Sequence, residues 1–323
     1  MIAYHLLCHD NFRQVVELAR ALWTPDATIL IDVDDGKRPD LRPLEALEGL
    51  SNVHVKRDAN IGWGGGGTMR KTLQGAFELL ELGRDWRYYV VLSGQDLPLK
   101  SNEAIRGRLM AGDAAGTNFI RCHPVEPVAV EGLPVKNPTS RLRRWEDRGH
   151  TRLWARPGAI SPHVEMGART LVDVTEVGAL GQVYVGPADP LLAEHRRRFF
   201  ARHPFHAGPN WFNLHRSLLE HMRSDPFAHE LYDVCRTTFI PDESYFQTYV
   251  MNTRFRDTAD PDYGRLIVRP PEHPAPKVLG RRDWPVIEAS DALFARKFDT
   301  RRDRRIVRRV LEARGTDAPA RAA

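Results

Sequence analysis

Tyr88-Tyr89-Val90-Val91-Leu92-Ser93-Gly94-Gln95-Asp96-Leu97-Pro98-Leu99 is the stretch on which the reading of the fold turns. Its first five residues are apolar without interruption. A strand wetted on one face would alternate polar and apolar, so this run reads as a strand covered on both faces. It ends in a small polar turn, Ser93 to Asp96, that Pro98 stiffens. On the amino-terminal side the same grammar repeats. Ile2 to Leu7 is a short apolar run, and Asp10 or Asn11 caps a helix that puts Val15, Val16, Leu18, Ala19 and Leu22 on one face. Thr28 to Val33 is a β-branched strand, Pro43 suits the first turn of a short helix ending near Leu50, and Val53 to Val55 is a third strand. Met69, Leu73, Phe77 and Leu80 recur at helical spacing. On the carboxyl side Ser101 caps a helix running to Met110, and Phe119 to Cys122 is another strand. Repeated βα units with continuous apolar strands predict an α/β fold with a mainly parallel central sheet and helices on both faces.

The pattern then breaks. Residues 124–190 mix proline, glycine and charge around Trp145 and Trp154, and read as long loops with a hairpin. Helical spacing returns at Pro190 to Phe200, Arg216 to Met222, Asp242 to Val250 and Arg301 to Leu311. The chain thus divides into a βα half (1–123), an insertion (124–190), a second half (191–315) and a disordered small-residue tail (316–323).

Composition narrows the function. The 323 residues carry 47 Lys and Arg against 42 Asp and Glu, a net charge of +5. A mean hydropathy of −0.44 excludes a polytopic membrane protein. No run approaches the ~18 apolar residues of a membrane span, so membrane contact is expected to be peripheral at most. The first residues lack a basic segment ahead of an apolar one and read as a strand, not a signal peptide. Cys8, Cys122 and Cys235 give neither a disulfide framework nor a CxxC pair, which places the chain in a reducing, cytoplasmic compartment. Arginine far outnumbers lysine, and its fork suits phosphate oxygens. Nucleic acid is not the expected partner, because acids are interspersed among these cations and no nucleic-acid-binding motif accompanies them.

In an open α/β sheet, ligands bind beyond the carboxyl ends of the strands. The first strand ends in Cys8-His9-Asp10 without a GxGxxG. Gly62 to Gly67 is either a flexible turn or a backbone that a ligand can approach closely, with Trp63 as a stacking plate. Asp32 and Asp34, at the end of the second strand, point to one side and fit a divalent metal bridging a diphosphate, or equally a solvated turn. Ser93-Gly94-Gln95-Asp96 combines small residues with a carboxylate at a sheet edge. Gly208-Pro209-Asn210-Trp211 and Pro241-Asp242-Glu243 are similarly dense, although the two acids also suit helix capping. In Phe294-Ala295-Arg296-Lys297-Phe298 the phenylalanines anchor the segment while the cations point outward, toward a diphosphate or toward solvent.

Taken in order, these clusters resemble the core-2/I-branching β-1,6-N-acetylglucosaminyltransferase family, which includes the peptide O-xylosyltransferases. The likeness runs from Ala3-Tyr4-His5 through Asp32-Val33-Asp34, Gly62-Trp63-Gly64, Ser93-Gly94-Gln95-Asp96, Gly208-Pro209-Asn210-Trp211 and Pro241-Asp242-Glu243 to Ala295-Arg296-Lys297. It implies a GT-A, Rossmann-like glycosyltransferase fold and an inverting transfer from a UDP-sugar, most simply GlcNAc, to a hydroxyl of a glycan or glycolipid, with no metal or other cofactor. It assigns Glu243 as catalytic base. Lys297, Arg296, Asp34, Trp63, Cys8 and Lys277 are implied around the UDP, Ser93, Gly94, Gln95 and Asp96 at the donor sugar, and Arg144, Trp145, Trp211 and Asp242 at the acceptor. Residues 1–123 then bind the nucleotide sugar, 124–190 face the acceptor, and 191–315 carry the base and the diphosphate cations.

There are departures from the family pattern. Its Gly-Ser before the tryptophan is Gly208-Pro209, a tryptophan after the base is replaced by Arg269, and a second diphosphate arginine has only Lys277, Arg281 or Arg282 as stand-ins. The alternatives are a xylosyltransferase, a metal-dependent transferase through Asp32 and Asp34, and a glycan-binding protein without turnover. The basic helix around Arg301 to Arg309 is either solvated or rests on an anionic membrane.

Overall fold

The computed structural model describes residues 1–37, 39–58, 64–125, 172–177, 182–270 and 275–315. Strands β1 (Ile2–Cys8), β2 (Thr28–Asp34), β3 (Val53–Asp58) and β4 (Tyr88–Ser93) form, as expected, a parallel array. After β4 the chain makes β5 (Asp96–Pro98), β6 (Asn118–Phe119) and β7 (His123–Pro124). A hairpin of β8 (Val172–Val177) and β9 (Gln182–Pro187) follows, as the sequence led us to expect between 124 and 190. The remaining strands are β10 (His206–Ala207), β11 (Asn213–His215), β12 (Ala259–Asp260), β13 (Arg265–Ile267) and β14 (Phe294–Arg296).

The central sheet has seven strands in the order β12-β6-β11-β4-β1-β2-β3. Only β11 runs against its neighbours β4 and β6. The second half of the chain therefore supplies β11 and β12 to the sheet begun by the first.

Alternation along β1 and β4 builds two cores. Ile2, Tyr4, Leu6, Tyr88, Val90 and Leu92 face the side covered by α1 (Phe12–Leu22) and α3 (Asn102–Met110). Ala3, Tyr89 and Val91 face α2 (Gly67–Glu81) and the helices Pro190–Arg202, Arg216–Ser224, Pro226–Cys235 and Tyr245–Met251. Ser101 caps α3 by accepting from the Ala104 amide, as expected. Asn11 does not cap α1. It takes up a left-handed conformation (φ 53°), and its side-chain amide reaches Asp299 and Thr300 instead.

A smaller three-stranded sheet, β13-β14-β5, is the feature that periodicity did not announce. Its strands are three residues long, too short to leave a pattern. It packs on a third apolar cluster of Leu97, Leu279, Trp284, Ala295, Phe298, Ile306, Val307 and Val310, which seats the helix Thr300–Ala313.

Candidate active site

β1 pairs with β2 on one side and β4 on the other, so the chain order reverses at β1, and it is beyond the carboxyl end of such a strand that open α/β sheets bind ligands. Cys8, Asp34 and Ser93 end the three adjacent strands there. The Cys8 side chain is buried, with burial pushing its pKa well up, and a side chain on Gly94 would touch its sulfur, so the thiol is not available to a ligand. Asp34 is half-buried and accepts the Gly36 amide.

Asp96 is the centre of the polar cluster. It is wholly buried, and its Oδ2 accepts both the amide and the hydroxyl of Ser93 at 2.6 Å. Antiparallel pairing of β5 with β14 sets Asp96 directly across from Arg296, whose Nη1 lies 3.5 Å from Oδ2. The Arg296 guanidinium stacks on the Trp211 ring, 3.7 Å from its centroid. A second buried arginine, Arg265, sits one strand further over, bonded to the carbonyls of Val91 and Tyr263 and to Asn213 Oδ1. Burial lowers the pKa of Arg265 to about 10 and that of Arg296 in the same direction. Half-buried Lys297 is likewise lowered, first by desolvation and then by Arg296 and Arg269, with Asp96 opposing.

One carboxylate thus faces two buried arginines with a lysine beside them. Arg296 Nε and Nη1 and Asp96 Oδ1 make no hydrogen bond among the described residues, although all three are shielded from water. Buried polar groups are nearly always paired, so unspent donors concentrated at one edge mark a place completed by a ligand.

Glu243 reaches this edge through the backbone. Its carbonyl accepts the Gly208 amide at 2.8 Å, three residues before Trp211. Gly208 has no room for a side chain, which would run into the Arg121 carbonyl. The turn carrying Glu243 (Pro241–Glu243) follows Ile240, a β-branched residue at φ 53°, a conformation that costs about 1–3 kcal/mol. The Gly64 carbonyl holds it by accepting the Ile240 amide. The α-helix after this turn starts at Tyr245 with Ser244 at its N-cap, and Asp242 and Glu243 lie in the 3-10 turn ahead of it.

Three expectations need correction. Gly64 and Gly66 leave room for the protein rather than for a ligand: a Cβ on Gly64 would lie 2.6 Å from the Phe239 ring, and one on Gly66 would strike the Arg236 carbonyl. Asp32 is not at the open end of its strand. It is 1% exposed, with Lys71 Nζ 2.6 Å from one oxygen and His5 Nε2 3.5 Å from the other, which removes it from a metal pair with Asp34. Lys277 is ion-paired with Asp283 at 2.6 Å and Arg281 with Asp303, although the Lys277 carbonyl does accept the Lys297 amide. Trp63, Arg144 and Trp145 lie outside the described residues.

Sequence reading missed Arg265, whose only signal is a lone arginine in a short apolar strand, and Gln14. Buried Gln14 donates to the carbonyls of Gly94 and Phe298 and accepts the Thr300 amide, tying α1 to both the Ser93–Asp96 turn and the Lys297 segment. In sequence it is merely a polar residue within a helix.

The profile of the Core-2/I-Branching enzyme family matches residues 2–130 and 185–266. The chain belongs to this family. Members similar to it include human xylosyltransferase 2, 27% identical over 264 residues, which cover 78% of this chain and 24% of that protein. Human probable β-1,3-galactosyl-O-glycosyl-glycoprotein β-1,6-N-acetylglucosaminyltransferase 7 is 23% identical over 334 residues, 95% of this chain and 66% of that protein. The Drosophila melanogaster xylosyltransferase oxt is 32% identical over 114 residues, 34% of this chain and 13% of that protein. This branching-enzyme homologue thus spans about a quarter of human xylosyltransferase 2 and about two thirds of the human N-acetylglucosaminyltransferase. No helix among its described residues is long and apolar enough to cross a membrane.

Proposed function

We propose that the protein is an inverting glycosyltransferase of GT-A fold that moves a sugar, GlcNAc in the first instance, from UDP to a hydroxyl of a glycan or glycolipid without a metal ion. The observation that carries this reading is the set of buried Arg296 donors without a hydrogen bond among the described residues, beside Lys297, at the sheet edge to which Glu243 is tied through Gly208.

In this mechanism Glu243 removes the proton of the acceptor hydroxyl as its oxygen attacks C1 of the sugar. The bond from C1 to the diphosphate oxygen breaks on the opposite face through an oxocarbenium-like state, and its electron pair leaves with UDP. Negative charge grows on the diphosphate. Lys297 and Arg296 stabilise it where water is excluded, each such donor contributing ~3 kcal/mol. Arg269, close enough to both to lower their pKa values, adds a third cation on the side that family resemblance gave to the acceptor. Asp96 and Trp211 fix the Arg296 plane in advance, so little order is lost when the diphosphate arrives. Asp34 contacts the uridine, and Ser93, Gly94 and Gln95 border the sugar.

Glu243→Gln is expected to lower turnover about 10³-fold, within the usual range for a lost general base, while calorimetry still registers UDP binding. Full activity of that variant would remove Glu243 from the mechanism. Retention of activity in EDTA is expected, and a loss restored by manganese would overturn the metal-free reading. Because two of the similar proteins named are xylosyltransferases, UDP-xylose is the second donor to assay by UDP release.

A further inference from the structure

The positive charge of this protein is concentrated in one short segment. Between Arg296 and Arg314 nine cationic side chains stand against three acidic ones, a surplus larger than the chain's whole net charge of +5. Most of it is on the 14-residue helical segment Thr300–Ala313, which is kinked at Asp303. Ile306, Val307 and Val310 bury one side of this helix in the third apolar cluster. Beyond the kink at Asp303, Arg304, Arg305, Arg308 and Arg309 occupy the outward side, and Arg301 and Arg302 are exposed ahead of it.

The stripe is only partly neutralised. Arg301 pairs with Asp299 and Asp10, Arg304 stands 3.6 Å from Glu17, and Arg308 pairs with Glu312 at 3.0 Å. The guanidinium groups of Arg302 and Arg305 have no hydrogen bond or ion pair among the described residues. Arginines four apart on a helix repel one another, so the 304/308 and 305/309 rows are a standing cost to this helix. An anionic surface would convert that cost into attraction.

Beside the stripe lies an apolar point. Arg309 covers the Trp284 ring, 4.0 Å from its centroid, and two residues further along that short helix Val286 is 53% exposed. A dissolved polyanion has no use for an exposed valine next to arginines. A bilayer surface, with phosphates above and acyl chains just below, accommodates both.

We propose that the arginine face of the helix Thr300–Ala313 docks on an anionic phospholipid bilayer. This holds the edge that carries Lys297, three residues before the helix, beside the membrane. The inference does not depend on turnover, so it stands or falls separately from the proposed reaction.

The test uses the full chain with vesicles of phosphatidylcholine alone or of equal parts phosphatidylcholine and phosphatidylglycerol, read by co-sedimentation. Binding is expected only to the anionic vesicles and should fade as salt is raised. The double variant Arg302→Gln/Arg305→Gln should bind them about 25-fold more weakly, at about fivefold per arginine, with an unchanged melting temperature as the control for folding. Val286→Asn should weaken vesicle binding by a smaller factor. Equal binding to both vesicle types, no vesicle binding, or an undiminished double variant would overturn the proposal. So would retention on immobilised polyphosphate without vesicle binding, which would reassign the face to a soluble polyanion.

Discussion

Two buried carboxylates stand at neighbouring places in this fold, and they are treated in opposite ways. Asp32, near the end of β2, is matched by one cation: Lys71 Nζ sits 2.6 Å away and also reaches the Val33 carbonyl. His5 lies on the other side. Tyr89 spends its one hydroxyl proton on the Thr72 carbonyl, so His5 Nδ1 must donate to Tyr89, and Nε2, 3.5 Å from Asp32 Oδ2, favours the carboxylate only when the ring is doubly protonated. Burial alone would raise the pKa of Asp32, but His5 and Lys71 together hold it below the usual carboxylate range. Asp96, after β4, faces two arginines and a half-buried lysine, and donors of Arg296 remain unspent. Asp32 has its one cation at hydrogen-bond distance, although its Oδ2 and His5 Nε2 make no hydrogen bond among the described residues. Around Asp96 the cations outnumber the acid, and that surplus is held ready for an anion, at some cost to stability.

The comparison breaks most sharply at Lys71. Lys71→Met leaves Asp32 buried without its cation and should cost about 3–5 kcal/mol of stability, read as a fall in melting temperature. Adding Asp32→Leu should recover most of that loss, since replacing both members of a buried pair by apolar groups is often neutral. A single variant as stable as the parent would mean that Lys71 does not offset the buried charge of Asp32.

Arg296→Gln should do the reverse. It should lower kcat/KM about 100-fold, the effect of removing one preorganised donor, yet leave the melting temperature near that of the parent or above it, because the site relinquishes surplus charge. A strongly destabilised variant would place Arg296 in the same class as Lys71.

The smallest effect is in pH dependence. Lys297 has a lowered pKa, and a bound diphosphate favours its charged form, so binding raises that pKa again. UDP affinity should therefore be complete below the lowered value and decline as pH rises through it, before the ~10.4 of an ordinary lysine. Lys297→Arg should keep its affinity across the same interval, as measured by calorimetry. A wild-type profile flat to that limit would take Lys297 away from the diphosphate.

Much of this was legible in the sequence because β4 opens with an uninterrupted apolar run and β1 and β2 are broken only by His5 and Asp32, and such runs have few other uses. The Ser93–Asp96 turn stood out for a related reason, since polar residues directly after a fully buried strand must face something. Asp32 was open to misreading: its alternation was right, but nothing nearby in sequence reveals that Lys71, 39 residues on, occupies its oxygen. The glycines at 64 and 66 misled in the same way, because the groups they make room for, Phe239 and Arg236, are about 170 residues distant.

By itself, then, the sequence determined the parallel sheet, the two helical layers and the short segments in which chemistry could sit, because hydrophobic period and turn residues act within a few positions of each other. Only the tertiary structure decided which charges are spent and which remain. Asp32 with Lys71, Asp96 with Arg265 and Arg296, and Glu243 with Gly208 are joined across long stretches of chain, and the balance of charge in a buried place depends on everything that packs there.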